Sequence, residues 1–467
     1  MESRVSVLNG ASISYQTELP VMAEPDVLVV GGGPAGIAAA IASARTGART
    51  MLVERFGFVG GNLTAGLVGP CMTSYSLDGS TQLIRGIFDE MVVRMEAMGK
   101  AIHPSKVPAS SPYCGFIEYG HDKVTPFDPE AVKLVALDML REAGVDLLLH
   151  TFVADALVEG QTLRGVVIAN KSGLQAIRAQ VTVDCSADGD VAARAGAEFV
   201  MGREEDGLTQ PMTLFFRVSH VDDAVVEAYV AEHPDDYRPF ASIVAEARGA
   251  GEFPIPRKGV GLYKTLEPGV WRINTTRLQK LDGTNARDLT EAEIQGREQV
   301  KALMAFFRKR LPGFEACQLY DTAATIGVRE TRRIVGEYTL TIDDLVSARH
   351  FDDVIALCGY PVDIHSPNSD GGGVGGFDTA NAYEIPYRSL VPRDIDNLLV
   401  AGRCVSATHE ALAAIRVMPP AFAMGQAAGT AAAMAIEWGR APRSIPVPQL
   451  QKLLVRQGAY LGEPAVT

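Results

Sequence analysis

The first regular pattern in the chain is a short apolar run, Val27-Leu-Val-Val30, with no polar alternation. Such a run marks a strand buried on both faces rather than an amphipathic element. Gly31-Gly-Gly33-Pro-Ala-Gly36 follows, and then an alanine-rich segment of helical character. A second apolar run, Thr50 to Val53, ends in Glu54, so the opening reads strand, glycine turn, helix, strand. Further on, Leu83, Ile84, Ile87, Phe88, Met91 and Val92 recur at helical spacing and predict a helix over 81–98. The Pro-, Ser- and Gly-rich stretch 103–125 predicts a long excursion. Asp128-Pro129 then gives an N-cap with proline at the first helical position, and Gly144 gives the stop.

Strand-like segments 145–149, 151–158, 165–169 and 175–183 form a meander with turns at Glu159-Gly160 and Lys171-Ser-Gly173. From about residue 201 to 380 the texture changes to Thr- and aromatic-containing strands and Pro/Gly loops. This stretch holds one long helix, predicted to start at Thr290 with Glu293 completing a capping box and to stop at Pro312-Gly313. A strand over 397–401 and a helix from Pro419 to Trp438 close the chain, and Met1 to Asn9 reads as a short strand-like extension. The expected architecture is α/β: a Rossmann-like dinucleotide-binding domain built from 1–200 and 381–467, with an α+β substrate domain, 201–380, inserted between them.

Composition narrows the function classes. A net charge of −13 disfavours a nucleic-acid partner. The six cysteines, at 71, 114, 185, 317, 358 and 404, are widely spaced without C-x-x-C or metal-ligand patterns, which reads as reduced thiols of a cytoplasmic protein with no metal site. No apolar run reaches the roughly 18 residues of a membrane span, and Met1 to Asn9 has no leader-like apolar region.

Glycine is common, 46 of 467 residues, enough that the three-glycine spacing arises by chance at about 0.4 sites in such a chain. Context gives it meaning. In a βα turn, Gly31 makes the tight bend, Gly33 lets backbone approach a pyrophosphate, and Gly36 permits close helix–strand packing. Glu54 then falls at the end of the next strand, where a carboxylate reaches a ribose. A second glycine-rich loop, Arg55-Phe-Gly-Phe-Val-Gly60-Gly61-Asn62-Leu-Thr64-Ala-Gly66, is suited to lying against a flat ring. The match at Asp370-Gly371-Gly-Gly373-Val-Gly-Gly376 has neither the preceding strand nor the following helix, so it predicts a mobile loop over a substrate and no nucleotide site.

Five segments together resemble the FAD-dependent oxidoreductases, the group that includes fumarate-reductase-like flavoproteins: Asp26 to Gly36, Val53 to Gly61, Asp184 to Gly196, Arg329 to Arg333, and Ile385 to Gly429. The resemblance implies FAD as cofactor. It places the pyrophosphate on Gly31, Gly33, Pro34, Ala35 and Gly36, the adenosine ribose on Glu54 beside Arg55, and the adenine against backbone at Val153. It sets Gly60, Gly61, Asn62, Thr64 and Gly66 beside the flavin, with Asp188, Gly402 and Arg403 as further cofactor contacts. Cys185-Ser186-Ala187 departs from the usual Ala-Thr-Gly of such proteins, and Arg403 from their acidic residue. The helix that carries Pro419 and Gly425 is implied to point its N-terminus at the N1/C2=O edge of the flavin, where a helix dipole stabilises negative charge.

Candidate substrate groups are Arg329, Arg388 and Arg416, because an arginine fork binds carboxylate or phosphate, together with His409 and His365 as proton acceptors. The expected activity is oxidation of a small polar, acid or sugar-like substrate by hydride transfer to flavin N5, with the electron acceptor left open. The alternatives are a flavin monooxygenase, suggested by Ser186-Ala-Asp188-Gly189, and a flavoprotein whose FAD is structural and serves binding or RNA modification.

Overall fold

The computed structural model describes residues 4–7 and 13–462. Part of the expected N-terminal extension lies outside these residues; within them, Arg4–Val7 pairs antiparallel with Ile13–Gln16. The centre of the molecule is a five-stranded parallel sheet in the order Leu398–Val400, Val181–Asp184, Val27–Val30, Thr50–Val53, Asp146–Leu148. Val27–Val30 is buried along its whole length, as an apolar run without alternation requires, and helices Pro34–Arg45, Pro129–Ala143 and Met418–Trp438 cover the sheet. The protein is thus α/β with a Rossmann-type parallel sheet.

Two helices from opposite ends of the sequence interlock. A Cβ on Gly425 would lie 2.1 Å from the carbonyl oxygen of Ala35, and one on Gly429 would lie 2.0 Å from that of Ala39, so only glycine permits this approach of Pro34–Arg45 to Met418–Trp438. The strand ending in Asp184 is fixed in a similarly local way. The buried carboxyl accepts the N–H of Ser186 at 3.0 Å and those of Val191 and Ala192 at 2.9 Å each, capping the short helix Asp190–Arg194. Asp184→Ala leaves these donors buried without an acceptor and is expected to cost about 2–3 kcal/mol, read by urea unfolding. A loss below about 0.5 kcal/mol would contradict this role.

The strand expected over 175–183 is two strands in different sheets. Gly173–Arg178 joins the antiparallel meander of Phe152–Glu159 and Thr162–Asn170, and Val181–Asp184 joins the parallel sheet. The helix expected over 81–98 begins at Ile87, because Gly86 has φ 64 and the Ile87 N–H donates to the Gln426 side chain at 3.1 Å. Leu83 and Ile84 are buried from non-helical backbone. The long helix runs Ala286–Arg310. Asn285 caps it through the N–H groups of Arg287 and Asp288, so Thr290 lies in its second turn and Glu293 forms no capping box.

A second apolar cluster, with Phe216, Trp271, Phe307 and Phe314, lies between that helix and a four-stranded antiparallel sheet, Leu262–Lys264, Trp271–Ile273, Phe216–Ser219, Gln318–Thr322. Ile334, Leu340, Leu345 and Val354 to Val362, inside the segment assigned by sequence to the insertion, pack in the first cluster with the parallel sheet. The stretch 370–376, expected to be a loop, is in part a strand: Gly372–Val374 pairs with Asp363–His365 in a two-stranded hairpin, and Asp370 and Gly371 end its connection. No described helix is long and apolar enough to cross a membrane.

Candidate functional site

A cavity of about 520 Å³ opens at the C-terminal ends of the parallel strands, where open α/β sheets bind their ligands. Its wall contains Gly31, Gly33, Pro34 and Ala35 of the first turn, Glu54 and Arg55 after the second strand, Gly61 and Asn62 of the second glycine loop, and Val153. Asp188, Gly402, Arg403, Arg416 and Met418 lie in the same wall.

The glycines divide by what surrounds them. Gly31 has φ +97, and a Cβ there would meet the Cys185 carbonyl oxygen at 2.4 Å; on Gly36 it would meet the Gly31 carbonyl oxygen at 1.7 Å. On Gly33, by contrast, the nearest atom is the Gly61 Cα at 3.9 Å, so that position faces open space. Gly33 also caps helix Pro34–Arg45 without any side-chain acceptor, and the first turn carries no acid. The helix Met418–Trp438 likewise starts without a side-chain cap or an acid, and its Met418 and Ala421 line the cavity. Two uncapped helix N-termini on one cavity favour an anion inside it.

Glu54 is buried and held in place by two backbone donors, Gly32 N–H to Oε2 at 2.6 Å and Phe56 N–H to Oε1 at 2.9 Å. Asp188 and Arg403 pair with each other at 2.7 Å. Thr331 Oγ1 donates to Asp188 at 2.8 Å and accepts from Arg403 at 3.1 Å. The remaining residues of the expected cofactor set are outside the wall and shape it from behind. Thr64 Oγ1 donates to the Val59 carbonyl at 3.0 Å and packs on Gly60, Gly66 accommodates Asn62, and Pro419 is buried in the first turn of its helix. Gly36 and Gly425 are packing positions, the first on the turn and the second on the neighbouring helix.

The candidate catalytic side chains separate into three places. Arg416 borders the cavity and donates to Asp363, at 2.8 Å to its carbonyl and 3.3 Å to its carboxylate. His365 Nε2 lies 3.3 Å from the same carboxylate, and burial pushes the pKa of this histidine down to about 3 against the pull of Asp363. Arg329 donates to the Pro211 carbonyl at 2.5 Å and to Thr213 Oγ1 at 2.6 Å. Burial and the nearby positive charges of Arg416 and Arg257 bring it down to about 9.

His409 lies elsewhere, its Nδ1 2.9 Å from the Glu330 carboxylate, which also holds Arg333 and accepts the Gln210 N–H at 3.1 Å. Gln210 bridges the two groups, because its Oε1 accepts from the His365 N–H at 3.3 Å and from Arg416 at 3.5 Å. Arg388 is apart from both. Its guanidinium is bound by Asp353 at 2.9 Å and faces Tyr338, and it is absent from the cavity wall. Sequence reading missed Gln210, Arg257, Arg277, Glu330 and Asp363. Only Asp363 carried a signal, since it stands two residues before His365 and therefore on the same face of a strand. Glu293, read as a cap, lines the cavity and accepts the Ile326 N–H at 2.6 Å.

A parallel sheet, a glycine turn at its switch point and a buried carboxylate after the second strand define a dinucleotide-binding protein. More narrowly, the chain belongs to the FAD dependent oxidoreductase family, whose model matches residues 26–454. It is an FAD-dependent oxidoreductase, and the open face of Gly33 between two uncapped helix N-termini fits the pyrophosphate of FAD.

The chain is 30% identical over 266 residues to a thiamine thiazole synthase of Aeropyrum pernix, covering 54% of this chain and 82% of that one. Among solved structures it is similar to L-proline dehydrogenase from P. horikoshii, at 13% identity and a TM-score of 0.44, covering 94% of this chain and 99% of that one. It is also similar to p-nitrophenol 4-monooxygenase from Pseudomonas putida DLL-E4, at 12% identity and a TM-score of 0.47, covering 95% and 91%. Among the described residues no group of His, Cys, Asp and Glu is arranged to hold a metal ion.

Proposed function

We propose that the protein oxidises a small polar substrate held where Arg416 enters the FAD cavity, with the segment 201–380 supplying the substrate side. The observation that carries this reading is the placement of Arg416 in the cavity wall, backed by the Asp363–His365 pair. FAD, when bound, supplies a two-electron acceptor; the chain itself must take the accompanying proton. In this reading Gly31, Gly33, Pro34 and Ala35 hold the pyrophosphate, Glu54 and Arg55 the ribose, and Val153 the adenine. Asn62, Arg416 and Met418 border the reacting end, with Arg403 and Asp188 fixed against each other in the same wall.

His365 suits proton acceptance better than His409. The Asp363 carboxylate that it faces also binds Arg416 of the cavity wall, and Asp363 beside Nε2 leaves Nδ1 as the accepting atom. Neither histidine lies in the cavity wall; His365 reaches it through Asp363 and Arg416, whereas His409 keeps its Nδ1 on Glu330 and acts in this reading by fixing Gln210 through that shared carboxylate.

An anaerobic panel of small polar metabolites, followed by bleaching of the visible flavin absorbance, tests the reading. One or more panel members should bleach the wild type, and His365→Asn should slow that reduction about 10²–10⁴-fold with FAD content unchanged. Reduction by His365→Asn at the wild-type rate would remove His365 from the role.

A further inference from the structure

Next to Arg416 the interior holds more positive charge than it neutralises. Asp363 is already engaged by Arg416 and His365. Three further arginines share this neighbourhood and spend their donors on neutral oxygens. Arg257 donates to the Asn274 carbonyl at 2.6 Å, Arg277 to the carbonyls of Ser366 and Gly371 at 2.7 Å each, and Arg329 to Pro211 and Thr213. Among the described residues none of these three forms an ion pair, although Arg257 is only 8% and Arg277 only 4% exposed. Their mutual proximity is felt electrostatically: burial and the charges of Arg238 and Arg277 bring Arg257 down to about 10.

Buried charge without a partner is strongly disfavoured, and this chain has acids to spare, 56 against 43 bases. Other buried arginines are paired, as Arg217 with Asp321, Arg333 with Glu330 and Arg403 with Asp188, or stand singly, as Arg272 over the Phe127 ring; a group of several unpaired arginines occurs here. The unpaired group also leaves polar atoms without partners. Arg277 Nε, Arg416 Nε, Gln210 Nε2 and His121 Nδ1 are all buried and unbonded, and His121 senses the charge of Asp363.

Building on the oxidation proposed above, we infer that the substrate is a dicarboxylate. Arg416 and Arg329 meet one carboxylate beside the FAD cavity, and Arg257 and Arg277 meet the other near the Asp363–Val374 hairpin. Guanidinium forks match carboxylates in bidentate geometry, and a dicarboxylate offsets two of the positive charges that Asp363 leaves uncompensated, where a monocarboxylate offsets one.

The FAD-loaded full chain, titrated calorimetrically with malonate, glutarate, propionate, inorganic phosphate and the uncharged 1,3-propanediol, tests this. At least one dicarboxylate should bind tenfold or more tighter than propionate, phosphate and the diol. Arg257→Gln should weaken that dicarboxylate at least tenfold and leave propionate within about twofold. Its melting temperature without ligand should stay level or rise, because an unpaired buried charge is removed; a purely structural arginine would lower it.

Equal binding of propionate and the dicarboxylates, or tighter binding of phosphate, overturns the assignment. So does an Arg257→Gln enzyme with a lowered melting temperature and undiminished dicarboxylate affinity. The oxidation itself is read separately, by anaerobic bleaching with hydroxy- and amino-substituted dicarboxylates. Tight dicarboxylate binding with no bleaching supports the anion site while counting against oxidation. Bleaching by an uncharged polyol that dicarboxylates fail to inhibit overturns the dicarboxylate and leaves oxidation standing.

Discussion

Gly33→Ala is expected to yield a folded protein emptied of FAD. The backbone at Gly33 has φ −75, which alanine adopts freely, and the added methyl would find its nearest protein atom 3.9 Å away. It would instead stand in the cavity, at the uncapped end of helix Pro34–Arg45. A steric intrusion of about 3 kcal/mol at the pyrophosphate corresponds to a rise of more than 100-fold in the Kd for FAD. Gly36→Ala is the opposite case. Its methyl would lie 1.7 Å from the Gly31 carbonyl oxygen, so helix and turn must separate and the fold itself weakens by about 3 kcal/mol or more. The pair is checked by measuring FAD per chain and the melting temperature of each apoprotein. Full FAD content in Gly33→Ala would refute the placement of the pyrophosphate.

The second large effect is a loss of stability on mild acidification. Burial holds His121 at about 4 and His365 at about 3, both below the ordinary value of 6.5. Below pH 6.5 the unfolded chain therefore takes up two protons that the folded chain refuses. Stability falls by about 1.4 kcal/mol per pH unit for each histidine, the slope easing below pH 4 as His121 protonates in the fold and ending near pH 3. Between pH 6.5 and 4.5 the two together remove about 5 kcal/mol. The carboxylates of Asp78 and Asp206, both held below the usual carboxylate range by their hydrogen bonds to Ser76 and Arg203, add to the loss only nearer pH 4 and below. Urea unfolding at pH 7, 5.5 and 4.5 measures the slope, and His121→Gln should halve it; a flat profile would mean that both rings take up protons in the fold as readily as in the unfolded chain.

The cofactor half of the molecule was legible because its information is local. Val27 to Val30, the glycine turn, Pro34 to Arg45 and Glu54 lie within one short stretch, and each signals through apolar run, backbone need or charge. The substrate side was not. Gln210, Arg257, Arg277, Arg329, Asp363 and Arg416 come from separate loops and short strands, with no spacing that announces their meeting. Arg388 looked equivalent to Arg416 in sequence, and what separates them is a buried neighbour, Asp353, that pulls one guanidinium away. The two helix starts that differ do so in opposite directions. In one, apolar periodicity continued upstream of Gly86, where the backbone and the distant Gln426 start the helix at Ile87; in the other, Thr290 and Glu293 mimicked a capping box inside a helix that Asn285 already caps at Ala286. The closing helix was placed correctly because Pro419-Pro420 permits few alternatives.

The glycine contacts of Met418–Trp438 on Pro34–Arg45 also set the order in which the site can come into being during synthesis. The turn around Gly33 leaves the ribosome early, whereas the helix that completes its surroundings follows only after most of the chain. At about 5–20 residues per second this leaves the nascent first segment waiting roughly 20–80 s with Ala35 and Ala39 uncovered. With the pyrophosphate at Gly33 as proposed, FAD capture comes late in synthesis, and a chain cut short before residue 418 would carry the glycine turn with no helix to close against it.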